Sequence, residues 1–166
     1  MRKKPVILYN ILFPVWILIW VPSYLWLTLI PVNYLIDRAV LFLGLGDLPG
    51  KNEYCRKHTW KICLAGFMSD FIGSLFLFVL LLVGDRSKGP LQRWIYGAAY
   101  NPYENVFSFA LILIAVCISA FSIYRFDRVI LEKTGIGKKR AGKAALILAV
   151  FTAPFLFFLP GNILYR

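Results

Sequence analysis

A chain of 166 residues suits one domain, and 60% hydrophobic residues with 17% aromatics exceed what a soluble core of that size needs. The net charge of +11, from 19 Lys and Arg against 8 Asp and Glu, would in a soluble protein raise the question of nucleic acid. Here the basic residues cluster between long apolar runs, the pattern of loops on the cytoplasmic side of a membrane, so the expected partner is the lipid bilayer and not nucleic acid.

The run 6–45 carries charge only at Asp37 and Arg38. As one helix it would reach about 60 Å at ~1.5 Å per residue, twice the ~30 Å hydrocarbon core, so it must fold back. Val21-Pro22-Ser23 divides it into spans 6–21 and 24–45, with Pro31 as a second candidate for the turn. Met1-Arg-Lys-Lys4 resembles the start of a signal peptide, but no small-x-small cleavage site follows and the apolar run is too long, which predicts a retained cytoplasmic anchor.

Gly46-Asp-Leu-Pro-Gly50 is a breaker cluster that opens a polar segment ending near Trp60, read as a loop over 46–61. Residues 62–83 form a third span, interrupted by Asp70 alone among ionisable groups. Beyond it, Leu91, Trp94, Ile95 and Ala98 recur at helical spacing and predict an interfacial helix near 90–100. Residues 106–124 make a fourth span, 125–143 the most basic loop, and 144–160 a short fifth span with Pro154 as its expected kink.

The fold class that follows is all-α: a polytopic helical integral membrane protein of about five spans, with 1–166 as a single transmembrane helical-bundle domain. Orientation comes from counting Lys and Arg by side. With a hairpin in 6–45, fourteen fall on one side, at the N-terminus and the loops 46–61 and 125–143, and four on the other. That bias places the N-terminus in the cytoplasm and the C-terminus outside.

The second span holds Asn33, Asp37 and Arg38, which are costly inside hydrocarbon at roughly 2.5–3.5 kcal/mol per charge and mark a site by default. Helical rise puts Asp37 and Asp70 at the same level on neighbouring spans. Gly66, Ser69, Asp70, Gly73 and Ser74 form one stripe of small and polar residues, the expected contact for the second span, bringing Asp70 against Asn33, Asp37 or Arg38. Two carboxylates and one guanidinium leave a net negative charge that holds a proton or attracts a cation. The leading reading is therefore a carrier or channel component for a cation or proton-coupled solute, using Asn33, Asp37, Arg38 and Asp70. The alternative is a non-catalytic subunit or scaffold in which Arg38 and the aspartates are a structural lock.

Other constellations are weaker. Cys55-x-x-His58 with Cys63 lacks a fourth zinc ligand, an odd count of three cysteines gives no disulfide framework, and a single histidine argues against His-based triads. No G-x-x-x-x-G-K loop occurs, so neither a cofactor nor a metal is implied. The aromatics Trp16, Trp20, Trp26 and Tyr24 read mostly as interfacial anchors. Five short helices enclose little volume, which makes a homo-oligomer or a larger membrane complex the expected setting.

Gly44-Leu-Gly-Asp47 resembles the Gly-x-Gly-Asp motif of the intramembrane aspartyl proteases. That resemblance implies a second catalytic aspartate on a neighbouring span, a place Asp70 would take, although the family's Pro-Ala-Leu signature is absent. Apart from this remote alternative, no catalytic residue is nominated.

Overall fold

The structure, a computed structural model, describes Trp16 and residues 25–160. Among them the chain is helical throughout, with no strand: α1 is Leu25–Gly44, α2 Lys51–Arg86, α3 Pro90–Tyr100, α4 Val106–Glu132 and α5 Lys138–Phe151, followed by a 3-10 turn over Phe155–Phe158. Three helices and the α5 segment extended through Phe158 are long and apolar enough to cross a membrane, which makes four candidate spans among the described residues. The expected first span, 6–21, and the turn at Pro22 lie outside the described residues. Pro31 is settled, because α1 runs through it without a turn. Bundles re-satisfy the carbonyl that a proline leaves free, so spanning helices tolerate such interruptions.

Two expected loops are shorter than the sequence reading has them. Polarity was the cue, and polar residues continue a helix wherever it leaves the hydrocarbon. The α1–α2 turn is confined to residues 45–50, with Gly46 and Gly50 at φ +59° and +70°, a region open to glycine. From Lys51 the polar segment is already helix, so α2 has 36 residues, about 54 Å at ~1.5 Å per residue, well beyond the hydrocarbon thickness. Likewise α4 continues through Arg125-Phe-Asp-Arg128 to Glu132, supported by an Arg128 to Glu132 bond of 2.8 Å, and α5 starts at Lys138. Pro154 does not kink α5 but follows its end at Phe151, as the restriction on residues preceding proline favours.

The helices form an up-down bundle in which α4 is central, packed on α2, α5 and α3. Its contact with α2 is the tightest. A methyl group added at Gly73 would come within 2.0 Å of Ser119 Oγ and 2.9 Å of the Ala115 carbonyl oxygen. Small residues allow this close approach where no hydrophobic drive separates helix from lipid. The small-residue stripe thus divides, against expectation: Gly73 meets α4, and Gly66 looks toward α1, its missing Cβ 4.0 Å from Asp37 Oδ2.

Helix α3 forms as the periodicity predicts, with Ile95, Gly97, Ala98 and Ala99 buried. It lies across the ends of α2 and α4, with Ile95 against Gly84 and Gly97 against Ser108. Ser108 Oγ donates to the Trp94 carbonyl at 2.7 Å, and the Asn105 side chain caps α4 by accepting from Ser108 N at 2.9 Å. Tyr96 donates its hydroxyl to Asp85, whose carboxylate pushes the phenol above its ordinary range.

The core has two parts. At the end holding the 45–50 and 133–137 turns, Leu41, Leu45, Cys55, Ile62, Ile123, Leu131 and a run of α5 alanines pack together. Toward α3, Trp16, Leu77, Ile112, Ala115 and Phe157 do so. Trp16, 2% exposed, is therefore a core residue and not an interfacial anchor. Leu27, Leu43, Val106, Phe121 and Phe151 stand exposed on the outside, as residues facing lipid do.

Candidate functional site

Asp37 is 6% exposed on the inner face of α1. The Cys63 thiol of α2 donates a hydrogen bond to its carboxylate. With Gly66 beside it as well, Asp37 lies level with residues 63–66 of α2. Asp70 therefore does not share its level: it is four residues past Gly66, about 6 Å further along at ~1.5 Å per residue. The expectation of equal depth assumed that α2 begins near Lys61, whereas the helix starts ten residues earlier and its register is set by the short turn. Asp37 and Asp70 still interact electrostatically, and Asp70 Oδ1 is buried without a hydrogen-bond partner.

Arg38 does not join them. Its Nη2 donates to Asn52 Oδ1 at 3.0 Å, across the α1–α2 turn. It forms no ion pair with a carboxylate, and Lys, Arg or His pairs with neither Asp37 nor Asp70 among the described residues. Asn33 is half-buried one turn before Asp37 on the same side of α1. The structure thus leaves Asp37 and Asp70 electrostatically coupled at different levels of the bundle and Arg38 at the rim.

A third interior carboxylate, absent from the sequence reading, comes from α4. Asp127 of α4 is 1% exposed, both of its oxygens lack a hydrogen-bond partner, and it interacts electrostatically with Asp37. Its placement follows from spacing. Ile123, Asp127 and Leu131 recur every four residues on the face of α4 that lies in the core, and both apolar neighbours are fully buried. The signal was present in the sequence as Val129-Ile130-Leu131, an apolar continuation past the basic residues; the charges of Arg125 and Arg128 disguised it as loop. Arg128 itself turns outward to Glu132 and Tyr124.

Further along, the α2–α4 seam carries more buried hydroxyls. Ser69 and Ser74 bond back to their own helix at 2.8 Å, and Ser119 Oγ, fully buried, has no partner. Toward the basic end, at the 45–50 and 133–137 turns, the seam closes with a Tyr54 to Thr134 hydroxyl bond, and the His58 ring lies tilted at 43° against Tyr54 with ring centroids 4.6 Å apart.

Two other constellations are not assembled. No three His, Cys, Asp or Glu among the described residues come close enough to hold one metal ion, which covers Cys55, His58 and Cys63. Asp47 is exposed on the turn after α1, and the carboxylate that interacts with Asp70 is Asp37. The pairing that the protease motif implies would need Asp47 inside the bundle. No family model, curated protein or solved structure matches the chain.

Proposed function

We propose that this chain is a small membrane carrier or channel component that handles a cation or a proton-coupled solute at the carboxylates of Asp37, Asp70 and Asp127. The observation that carries the reading is charge without compensation: three helices each bring a carboxyl group into one interior, and no cationic side chain pairs with any of them among the described residues. Ionised together they would hold three negative charges in low dielectric, so the site takes up protons or a cation. Orientation rests on the fourteen-to-four distribution of Lys and Arg, which puts the basic end in the cytoplasm.

A non-catalytic subunit or scaffold is the second reading, favoured by the close packing of Gly73 on Ser119. The form of it in which Arg38 neutralises an aspartate has lost its support, since Arg38 bonds Asn52. Ion flux into liposomes carrying the full chain tests the choice: flux abolished by Asp37→Asn or Asp70→Asn, with folding intact, fits the carrier. Unchanged flux in both variants removes it.

A further inference from the structure

Resting on that reading, we infer that the ion handled is the proton, and that Asp127 is a third station for it, with Asp37 exchanging protons with Asp127 on one side and Asp70 on the other. Three observations lead there. First, the donors are strung out and not gathered. A metal site built from carboxylates and thiolates needs several of them converging within about 2.0–2.6 Å of the ion, depending on the metal, and no three His, Cys, Asp or Glu among the described residues do so. A proton needs one oxygen at a time.

Second, Asp127 is fully buried with both oxygens unpartnered, a costly arrangement that a merely structural aspartate would satisfy with a donor. It is also aimed at the cluster, on the face of α4 between Ile123 and Leu131 and electrostatically linked to Asp37.

Third, the register orders the groups. The Tyr54–Thr134 bond and the seating of Gly73 against Ala115 and Ser119 fix α4 antiparallel on α2, which puts Asp127 about level with Cys63, the donor to Asp37. Asp70, seven residues past Cys63, lies about 10 Å deeper at ~1.5 Å per residue. Asp37 interacts with both of the others.

The step balances simply. The Asp127 carboxyl gives its O–H proton to the Asp37 carboxylate and Asp37 gives it in turn to the Asp70 carboxylate, water bridging each gap because neither Asp127 oxygen has a hydrogen-bond partner; Asp70 releases it toward the α3 end, and Asp127 is reprotonated from the basic end. Among the described residues the titratable groups nearest Asp127 are Asp37 from α1 and, from α2, Cys63 at about its level, with His58 about one turn and Cys55 and Tyr54 about two turns nearer the basic end. Helix α5 presents only apolar residues there, Ala141, Ala144, Ala145 and Leu148.

The test uses the full chain in liposomes with a pH-sensitive dye inside and a potassium diffusion potential as the drive. Wild type should acidify the lumen without sodium, Asp127→Asn should slow this about tenfold or more, and Asp127→Glu should restore flux with a displaced pH profile. Infrared difference spectra across a pH step should show a carboxyl band that Asp127→Asn removes. If Asp127→Asn does not insert, the displaced pH profile of Asp127→Glu carries the test, and an unchanged profile overturns the inference. Flux unaffected by Asp127→Asn yet abolished by Asp37→Asn, or sodium uptake without proton movement, overturns the inference and leaves the carrier reading standing. Absence of any cation flux in the wild type overturns both.

Discussion

Arg38 reaches across the α1–α2 turn to Asn52 at 3.0 Å, so the one cation of α1 turns away from the carboxylate of Asp37 that immediately precedes it. A buried pair broken by removing one partner costs several kcal/mol, about 3–5, because a charge is left stranded. A rim hydrogen bond is worth about 1 kcal/mol or less. Arg38→Met should therefore lower stability in detergent by about 1 kcal/mol at most and leave flux unchanged. A loss of several kcal/mol on thermal or denaturant unfolding would instead restore the lock between Arg38 and an aspartate.

The α2–α4 contact at Gly73 gives a packing prediction. Gly73→Ala should destabilise the bundle by about 1–3 kcal/mol, because the new methyl meets both Ser119 Oγ and a backbone carbonyl. Adding Ser119→Gly should recover part of the loss, since it removes the nearer obstacle but leaves the Ala115 carbonyl at 2.9 Å. Unfolding of the two variants and their combination checks this; full additivity would show that α2 and α4 are further apart than described.

Helix α3 hangs on Ser108. Asn105→Ala removes the cap of α4 and should cost about 1 kcal/mol, and Ser108→Ala should free the Trp94 carbonyl and speed hydrogen exchange within α3 while α2 exchanges as before. Equal effects on α2 would place the weak point elsewhere.

Much of this fold was legible because apolar runs in a membrane protein are long and unambiguous. Residues 24–45 became α1 almost without change, and the Leu91, Trp94, Ile95 and Ala98 spacing became α3. What polarity could not reveal was where helices continue past the hydrocarbon, and that error hid Asp127. Asp37 and Asp70 were visible because a lone carboxylate inside an apolar run stands out. Asp127 was not, because Arg125 and Arg128 flank it in sequence while its own helical position, four residues from Ile123 and from Leu131, points it into the core. The fate of Arg38 was equally unreadable: its side chain can swing either way, and the short turn that brings Asn52 within reach is a tertiary fact.

Topology can be tested with thiol labelling. Cys55 is buried and unsuited to it, and Cys63 is buried too, so Lys57→Cys, Lys88→Cys and Lys139→Cys in a Cys117→Ser background serve instead. Lys57 and Lys139 positions should react from the cytoplasmic side and the Lys88 position from outside. Labelling of positions 57 and 88 from the same side would contradict a spanning α2.

Proton flux and thermal stability, measured together on Asp37→Asn and Asp70→Asn in the full chain, bear most directly on the carboxylate site. The amide keeps the shape of each side chain, so both variants should unfold within about 1 kcal/mol of wild type while proton flux into liposomes is abolished. Unchanged flux in both would contradict a role for these carboxylates in ion handling, and would leave Asp37, Asp70 and Asp127 as structural groups.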